Sequence, residues 1–422
     1  MKLLSPTPDF GRFAGAAALC HRRAFRSTRY FAPIANAAII AALLFPVISF
    51  SQAIPDSTKT KTELIEEVMV SSTRATQKTP VTFSNFSKKE IEARNLGQDI
   101  PMLINYLPGV VTTSDAGNGF GYTGIRVRGS DATRVNVTIN GIPYNDSESS
   151  GTYFVDLPDF ASSLESIQLQ RGVGTSTNGA GAFGASLNLL TEKVSVSARG
   201  EISNSFGSFS SRKHTVKFST GLINDHVEIA GRLSVLHSDG YVERAESDLK
   251  SYFLQGTFLG KSTTVKALAF GGNERTYQSW FGVDAETLAT DPTFNFAGMY
   301  TDEAGNTRFY EDEVDDYTQN HFQLHWNEKI SGSWSTNIAL HYTKGRGFYE
   351  NYQQDAGLES YGMAPVTIGE EIISTSDLVR RKWLDNDFYG MTFSANYQST
   401  KLDATIGGGA NNYEGQHFGE VV

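Results

Sequence analysis

The sequence predicts a mainly β protein: a membrane-spanning antiparallel β-barrel preceded by a compact run of short strands and tight turns. Three observations carry this. From about Val196 onward, segments of roughly ten residues alternate one apolar with one polar side chain, and Tyr, Trp and Phe gather towards several segment ends; lipid-facing strands with aromatic girdles have this pattern. The connections between the segments differ sharply in length, as they do at the two rims of an outer-membrane barrel. The composition, with 40 glycines and 12% aromatic residues in 422, suits strands and turns better than helices. After position 53 no run of about 18 apolar residues could form a membrane helix.

Residues 1–53 read as an export signal peptide. Arg22, Arg23, Arg26 and Arg29 supply the cationic region, Asn36 to Phe50 holds the apolar core, and Ser51-Gln52-Ala53 offers small residues at the cleavage positions. The only cysteine, Cys20, falls inside this leader, so the exported chain is expected to carry no disulfide. Removing the leader takes six of the 36 basic residues and one of the 46 acidic ones. That leaves 30 against 45, a formal charge of −15, which disfavours a nucleic-acid partner by repulsion from its phosphates.

Residues 54–75 read as a polar tether containing the short β-prone segment LIEEVMVSS. An extended segment beside a tether can add as a strand to a partner's sheet edge, or can be the first strand of the next domain. The stretch from Asn85 to Leu107 is the most helical: Ser87 and Glu90 have the spacing of a capping box. Ile100, Leu103, Ile104 and Leu107 give an apolar face, and Pro108-Gly109 stops it.

Between Leu107 and Thr191 lie short apolar alternations, Ile125 and Val127, then Val135, Val137 and Ile139, then Ile167 and Leu169. Each is closed by Gly or Asn-Gly, the punctuation of strands and tight turns. Two strands end in the same dipeptide, Arg128-Gly129 and Arg171-Gly172, and a charge at the end of a buried strand calls for a partner. The glycine runs 119–124 and 179–184 match G-x-G-x-x-G. A dinucleotide fold requires a helix after that motif, and β-alternation follows both, so no cofactor is expected.

In the later segments Val227, Ile229, Leu233 and Val235 alternate with Glu228, Arg232 and Ser234. Phe322, Leu324 and Trp326 alternate with Gln323 and His325. Trp334, Ile338, Leu340 and Tyr342 alternate with Ser335, Asn337 and His341, and Tyr389, Met391, Phe393, Ala395 and Tyr397 with Gly390, Thr392, Ser394 and Asn396. Connections 223–226, 260–263 and 329–333 read as tight turns, and 273–318 and 345–387 as long loops. The acids Glu311, Asp312, Glu313, Asp315 and Asp316 read as a solvated loop rather than a Ca²⁺ site, having no EF-hand spacing. About nine strands are counted, an odd number where a bacterial barrel wants an even one. Residues 411–422 read as the start of another loop. The sequence is therefore expected to be a C-terminally truncated fragment whose sheet is open at an unpaired edge.

The ordered set EEVMV, LPGV, IRVRG, INGIPYND, ESIQLQRG and FGASLNLLT followed by barrel strands resembles the TonB-dependent outer-membrane receptors, in the wording of their Bacteroidetes branch. The resemblance implies a fold of an N-terminal α+β plug domain, 76–192, inside a transmembrane antiparallel β-barrel of 22 strands, of which 193–422 would supply the N-terminal part. It implies that Glu66, Glu67, Val68, Met69, Val70 and Ser71 form the Ton box, which pairs with the inner-membrane energy-coupling protein TonB. It also implies that Arg128 and Arg171 pair with carboxylates of the barrel wall and lock the plug. Transport, not catalysis, is implied, with a ferric siderophore as the leading solute. Cobalamin or an oligosaccharide is the alternative, and a passive porin or an adhesin a reading of another class. Apical residues 114–122 and 144–153 and loop aromatics would touch the solute, with Tyr122, Tyr144, Tyr153, Tyr277, Trp280 and Tyr349 as the candidates. No H-E-x-x-H, G-x-S-x-G or P-loop pattern suggests an enzyme.

Overall fold

The computed structural model describes residues 74–77, 79–174 and 181–422. The leader and the segment Glu66–Ser71 lie outside the described residues. Two sheets organise the rest. The first has five strands in the order β1-β6-β7-β4-β5: β1 (Thr82–Ser87), β4 (Val135–Ile139), β5 (Ile142–Pro143), β6 (Leu164–Arg171) and β7 (Ala185–Thr191). The β4–β7 pair is parallel and the others are antiparallel. A separate hairpin pairs β2 (Val110–Ser114) with β3 (Thr123–Val127). The alternating residues Ile125, Val127, Val135, Val137, Ile139, Ile167 and Leu169 are all buried in one core, with Leu187 and Leu189 from β7.

The helical stretch is two short helices rather than one: α1 (Lys88–Glu92) and α2 (Ile100–Leu103). The capping box forms, with the Ser87 backbone N–H donating to Glu90 Oε2 at 2.8 Å. The break falls at Gly97, whose φ of 125° no side-chain-bearing residue adopts without strain. Strands follow both glycine motifs, β3 after the first and β7 after the second.

The second sheet has nine antiparallel strands in chain order: β8 (Arg199–Phe206), β9 (Arg212–Ser219), β10 (Val227–Ser238), β11 (Ser247–Leu259), β12 (Thr263–Tyr277), then β15 (Val314–Lys329), β16 (Trp334–Gly357), β19 (Thr375–Gln398) and β20 (Asp403–Val421). Between β12 and β15 lie α3 (Ala285–Thr290) and the hairpin β13 (Met299–Thr301) with β14 (Thr307–Phe309). Between β16 and β19 lies the hairpin β17 (Val366–Ile368) with β18 (Glu371–Ile373). The sheet does not close on itself; β8 and β20 are its edges. Residues 411–421, expected to open a loop, belong to β20.

The faces of this sheet are reversed relative to a water-soluble protein. Leu233, Val235, Phe322, Leu324, Trp326, Leu340, Met391 and Phe393 are exposed, while Glu228, Arg232, Ser234, Gln323, His325, Asn337 and His341 are buried. Cross-strand register aligns the outer apolar residues in rows, such as Leu324↔Leu340↔Met391 and Trp326↔Ile338↔Phe393. Such rows fit hydrocarbon, and water would penalise them.

Of the two long loops expected from sequence, 273–318 is mostly a connection between β12 and β15, while 345–387 is largely strand. β16 and β19 each run 24 residues, about 80 Å at ~3.3 Å per residue, where the apolar band of a barrel is only about 25 Å tall. The surplus forms a tall β-ribbon wall above one end of the apolar band.

Candidate functional site

Two of the places where the five-stranded module meets the polar face of the large sheet contrast, one saturated with opposite charges and one crowded with like charges. At the first, Asp159 stands in the left-handed region with φ 51° after Pro158. Its carboxylate meets Lys213 Nζ at 3.2 Å and Arg232 Nη1 at 3.3 Å. It also accepts hydrogen bonds from Thr215 (2.6 Å), Ser234 (2.7 Å) and Ser162 (2.5 Å). Thr215 and Ser234 are cross-strand partners on β9 and β10, so the sheet register itself builds the receptor for this acid. Burial alone would raise the Asp159 carboxyl, but Arg232 and Lys213 hold it well below the usual carboxylate range. Arg232 also donates to the carbonyls of Pro158 and Asp159, and Ser251 to that of Pro158. Phe160, next in sequence, packs its ring on Phe270 and Phe253 at 5.0 and 6.2 Å. Glu192 repeats the scheme at the junction of the two sheets, paired with Lys88 (2.6 Å), Lys217 (2.8 Å) and Arg199 (3.0 Å).

This clasp has the opposite polarity to the one expected from sequence, in which arginines of the first module meet acids of the second. Arg128 is exposed, and Arg171 donates to Ser84 Oγ at 3.0 Å. Arg128 Nη1 lies 3.5 Å from the Arg171 carbonyl oxygen. Neither guanidinium forms an ion pair among the described residues. The signal for this clasp was present in sequence as Lys213 and Arg232, cations on the inward registers of β9 and β10.

At the second place, a cavity of about 610 Å³ opens between the apical loops of the first module and the tall wall of β12, β15, β16, β19 and β20. Tyr122, Tyr144, Tyr153, Trp280 and Tyr349, five of the six aromatic candidates, line it. Tyr277 does not; its hydroxyl donates towards the carbonyls of Tyr310 (2.7 Å) and Ala297 (3.1 Å) and pins the β12–β15 connection. Tyr122 packs edge-on to Trp280 at 5.3 Å and Tyr144 against His321 at 5.3 Å. Tyr317 fits beside Gly345, where an added Cβ would lie 1.8 Å from the tyrosine hydroxyl; a side chain there would evict the ring from the wall.

Six carboxylates line the cavity: Asp115, Asp146, Glu148, Asp156, Glu274 and Asp315. The Asp146 side chain is occupied by its own turn, accepting from Ser149 N (2.7 Å) and Ser149 Oγ (2.8 Å), and Glu148 meets His417 at 2.8 Å. Tyr122 donates to Asp315 Oδ2 at 2.5 Å and lies 3.4 Å from Glu274 Oε1. Burial, then the charges of Asp315 and Asp146, push the Asp156 carboxyl well above its ordinary range. Burial with Glu274 and Asp315 does the same to the Tyr122 hydroxyl.

Asp315 and Glu313 correct the reading of residues 311–316 as a solvated loop. Glu313 is buried and accepts from Asn351 Nδ2 (2.7 Å) and Tyr352 N (3.0 Å), and Asp315 faces the cavity. The inward register explains it: Asp315, Tyr317, Gln319 and His321 continue upward the odd-numbered row that Gln323, His325 and Asn327 form below. That period of two was legible, but the run was read as ending where its apolar partners ended.

Comparison with known proteins follows the same division. Residues 75–186 match the TonB-dependent receptor plug domain. No curated protein matches the chain. Among solved structures the chain is similar to BauA, the ferric preacinetobactin receptor from Acinetobacter baumannii (14% identity, TM-score 0.61, covering 81% of this chain and 48% of that one). It is also similar to the ferric citrate transporter FecA (13%, 0.59, 81% and 49%). A third is P. aeruginosa FpvA bound to a ferric pyoverdine (12%, 0.54, 82% and 43%). The likeness is one of fold, and the chain spans about half the length of the receptors it matches.

Proposed function

From a chain that is a TonB-dependent receptor plug domain joined to part of a receptor-type barrel sheet, we propose active uptake of a scarce solute across a Gram-negative outer membrane, with a ferric siderophore as the leading solute. The observation that carries this is the cavity shared by the plug's apical loops and the barrel wall, seated above a plug tied to that wall through buried ion pairs. A pore left open for passive diffusion has no use for such a stopper, which disfavours the porin reading. Receptors of similar fold named for ferric preacinetobactin, ferric pyoverdine and ferric citrate support the solute class by analogy of fold.

In this reading residues 1–53 direct export and 54–75 form the periplasmic tether. Glu66–Ser71 adds as a strand to TonB. Arg128 and Arg171 meet carboxylates of the barrel wall. Tyr122, Tyr144, Tyr153, Trp280 and Tyr349 contact the solute. The solute must favour the state in which the Ton box is released; otherwise binding and pulling are not coupled. Val68→Pro removes a backbone donor from the added strand. It is expected to abolish energised uptake in cells while leaving solute binding at the surface intact, and uptake at the wild-type rate would rule out the coupling role.

A further inference from the structure

We propose that the solute cavity selects a positively charged solute, one bearing an ammonium or guanidinium group on an aromatic or apolar body. The inference deepens the uptake reading and rests on it for the identity of the cavity as the solute site.

The first ground is the charge of the lining. It holds six carboxylates and no lysine or arginine among the described residues. Two of the six, Asp146 and Glu148, are already engaged, as described. Of the other four, Asp115 is half-buried; Asp156 and Glu274 are buried and Asp315 is half-buried, and Tyr122 donates to Asp315 and lies 3.4 Å from Glu274. The contrast with Asp159 is internal to the molecule. There the sheet supplies two cations to one acid; here it supplies further acids.

The second ground is independent of the cluster. Glu274 is 2% exposed, lines the cavity, and its Oε2 has no hydrogen-bond partner among the described residues. A buried carboxylate oxygen without a donor is costly, and a donor arriving with the solute recovers that cost. His321, 5% exposed, likewise leaves Nε2 unpartnered in the lining.

The chemistry of the walls decides between an organic cation and a bare metal ion. Among the described residues, the cluster of His and carboxylate atoms spaced for one ion is His237, Glu246 and Asp248, which lies elsewhere. The three acids Asp156, Glu274 and Asp315 are more widely set, and they share the lining with the aromatic rings of Tyr122, Trp280 and Tyr144. Aromatic faces beside carboxylates hold an ammonium through cation–π attraction and a charge-assisted hydrogen bond at once.

The test uses three dansyl probes of equal length on the full chain in detergent, with tails ending in an ammonium, its N-acetylated neutral form, and a carboxylate. Binding is read by energy transfer from Trp280, with Trp280→Phe as the control that locates the signal. The ammonium probe is expected to bind at least about tenfold more tightly than the carboxylate probe, with the neutral one between. Glu274→Gln, which keeps the side-chain shape, and Asp315→Asn should each shrink that ratio, and added salt should shrink it in the wild type. Equal affinities, preference for the carboxylate, no binding of the ammonium probe, or an unchanged ratio in both variants would overturn the inference. The Ton box takes no part in this measurement. A failure here therefore leaves the uptake reading standing, and a failure of Val68→Pro to block uptake leaves the charge preference standing.

Discussion

Asp156 and Asp159 lie three residues apart in one apical loop, both almost wholly buried, and their carboxyls are displaced in opposite directions. Asp159 is held ionised by Arg232 and Lys213. Asp156 is driven towards its neutral form by burial and by Asp315 and Asp146. Sequence, depth and solvent access hardly differ between them. What differs is the strand each one faces: Asp159 meets the inward rows of β9 and β10, Asp156 the cavity beside β12 and β15. One position joins the plug to the wall, and the other sets a carboxyl with no ion-pair partner among the described residues beside an open space. A buried acid is therefore read from its neighbours across the interface and not from its burial.

The sharpest way to break this comparison is Asp159→Ala. It strands two buried cations, and the loss expected is about 3–5 kcal/mol of plug stability, measured by urea unfolding in detergent. A change near zero would mean that water already screens the clasp. Asp156→Asn works in the opposite direction. It removes a carboxyl whose ionisation opposes the fold, so a gain of about 1 kcal/mol or more at pH 7 is expected, from the same unfolding curves. Destabilisation by Asp156→Asn would place Asp156 among satisfied acids.

A pH series gives the smallest effect and separates the two signs. Asp159, with its depressed value, contributes stability that is complete above the unfolded carboxyl value of about 3.9 and is lost as pH falls below it. Asp156, with its raised value, has the reverse slope: it costs nothing below about 3.9, and stability declines as pH climbs from there through the raised folded value. The wild type should thus be most stable in mild acid. Asp159→Asn should flatten the acid limb and Asp156→Asn the upper one, each without moving the other.

Much of the architecture was legible from period alone. The outward rows through Leu324, Leu340 and Met391 and the inward row through Gln323 and His325 follow from strict alternation, which a sheet turns into two faces. The plug core was legible for the same reason. Strand length was not, because β16 and β19 continue as polar ribbons beyond the segments where apolar residues alternate. The split of the predicted helix at Gly97 was missed because an apolar face at helical spacing does not report a backbone break. The cavity's aromatic residues were singled out individually, but Tyr277 looked the same as Trp280 in sequence. Only the fold of the β12–β15 connection turns its hydroxyl onto the Tyr310 carbonyl.

By itself the sequence determined which side of each strand carries the exposed apolar rows and which residues form the plug's interior, because both follow from local spacing acting on a fixed backbone geometry. Only the tertiary structure decided which charges meet. Ion pairing depends on the few ångströms between groups distant in sequence, 54 residues in the case of Asp159 and Lys213, and no local rule carries that distance. Hence neither the pairing of Asp159 with Lys213 and Arg232 nor the gathering of Asp156, Glu274 and Asp315 at one cavity was legible in the sequence.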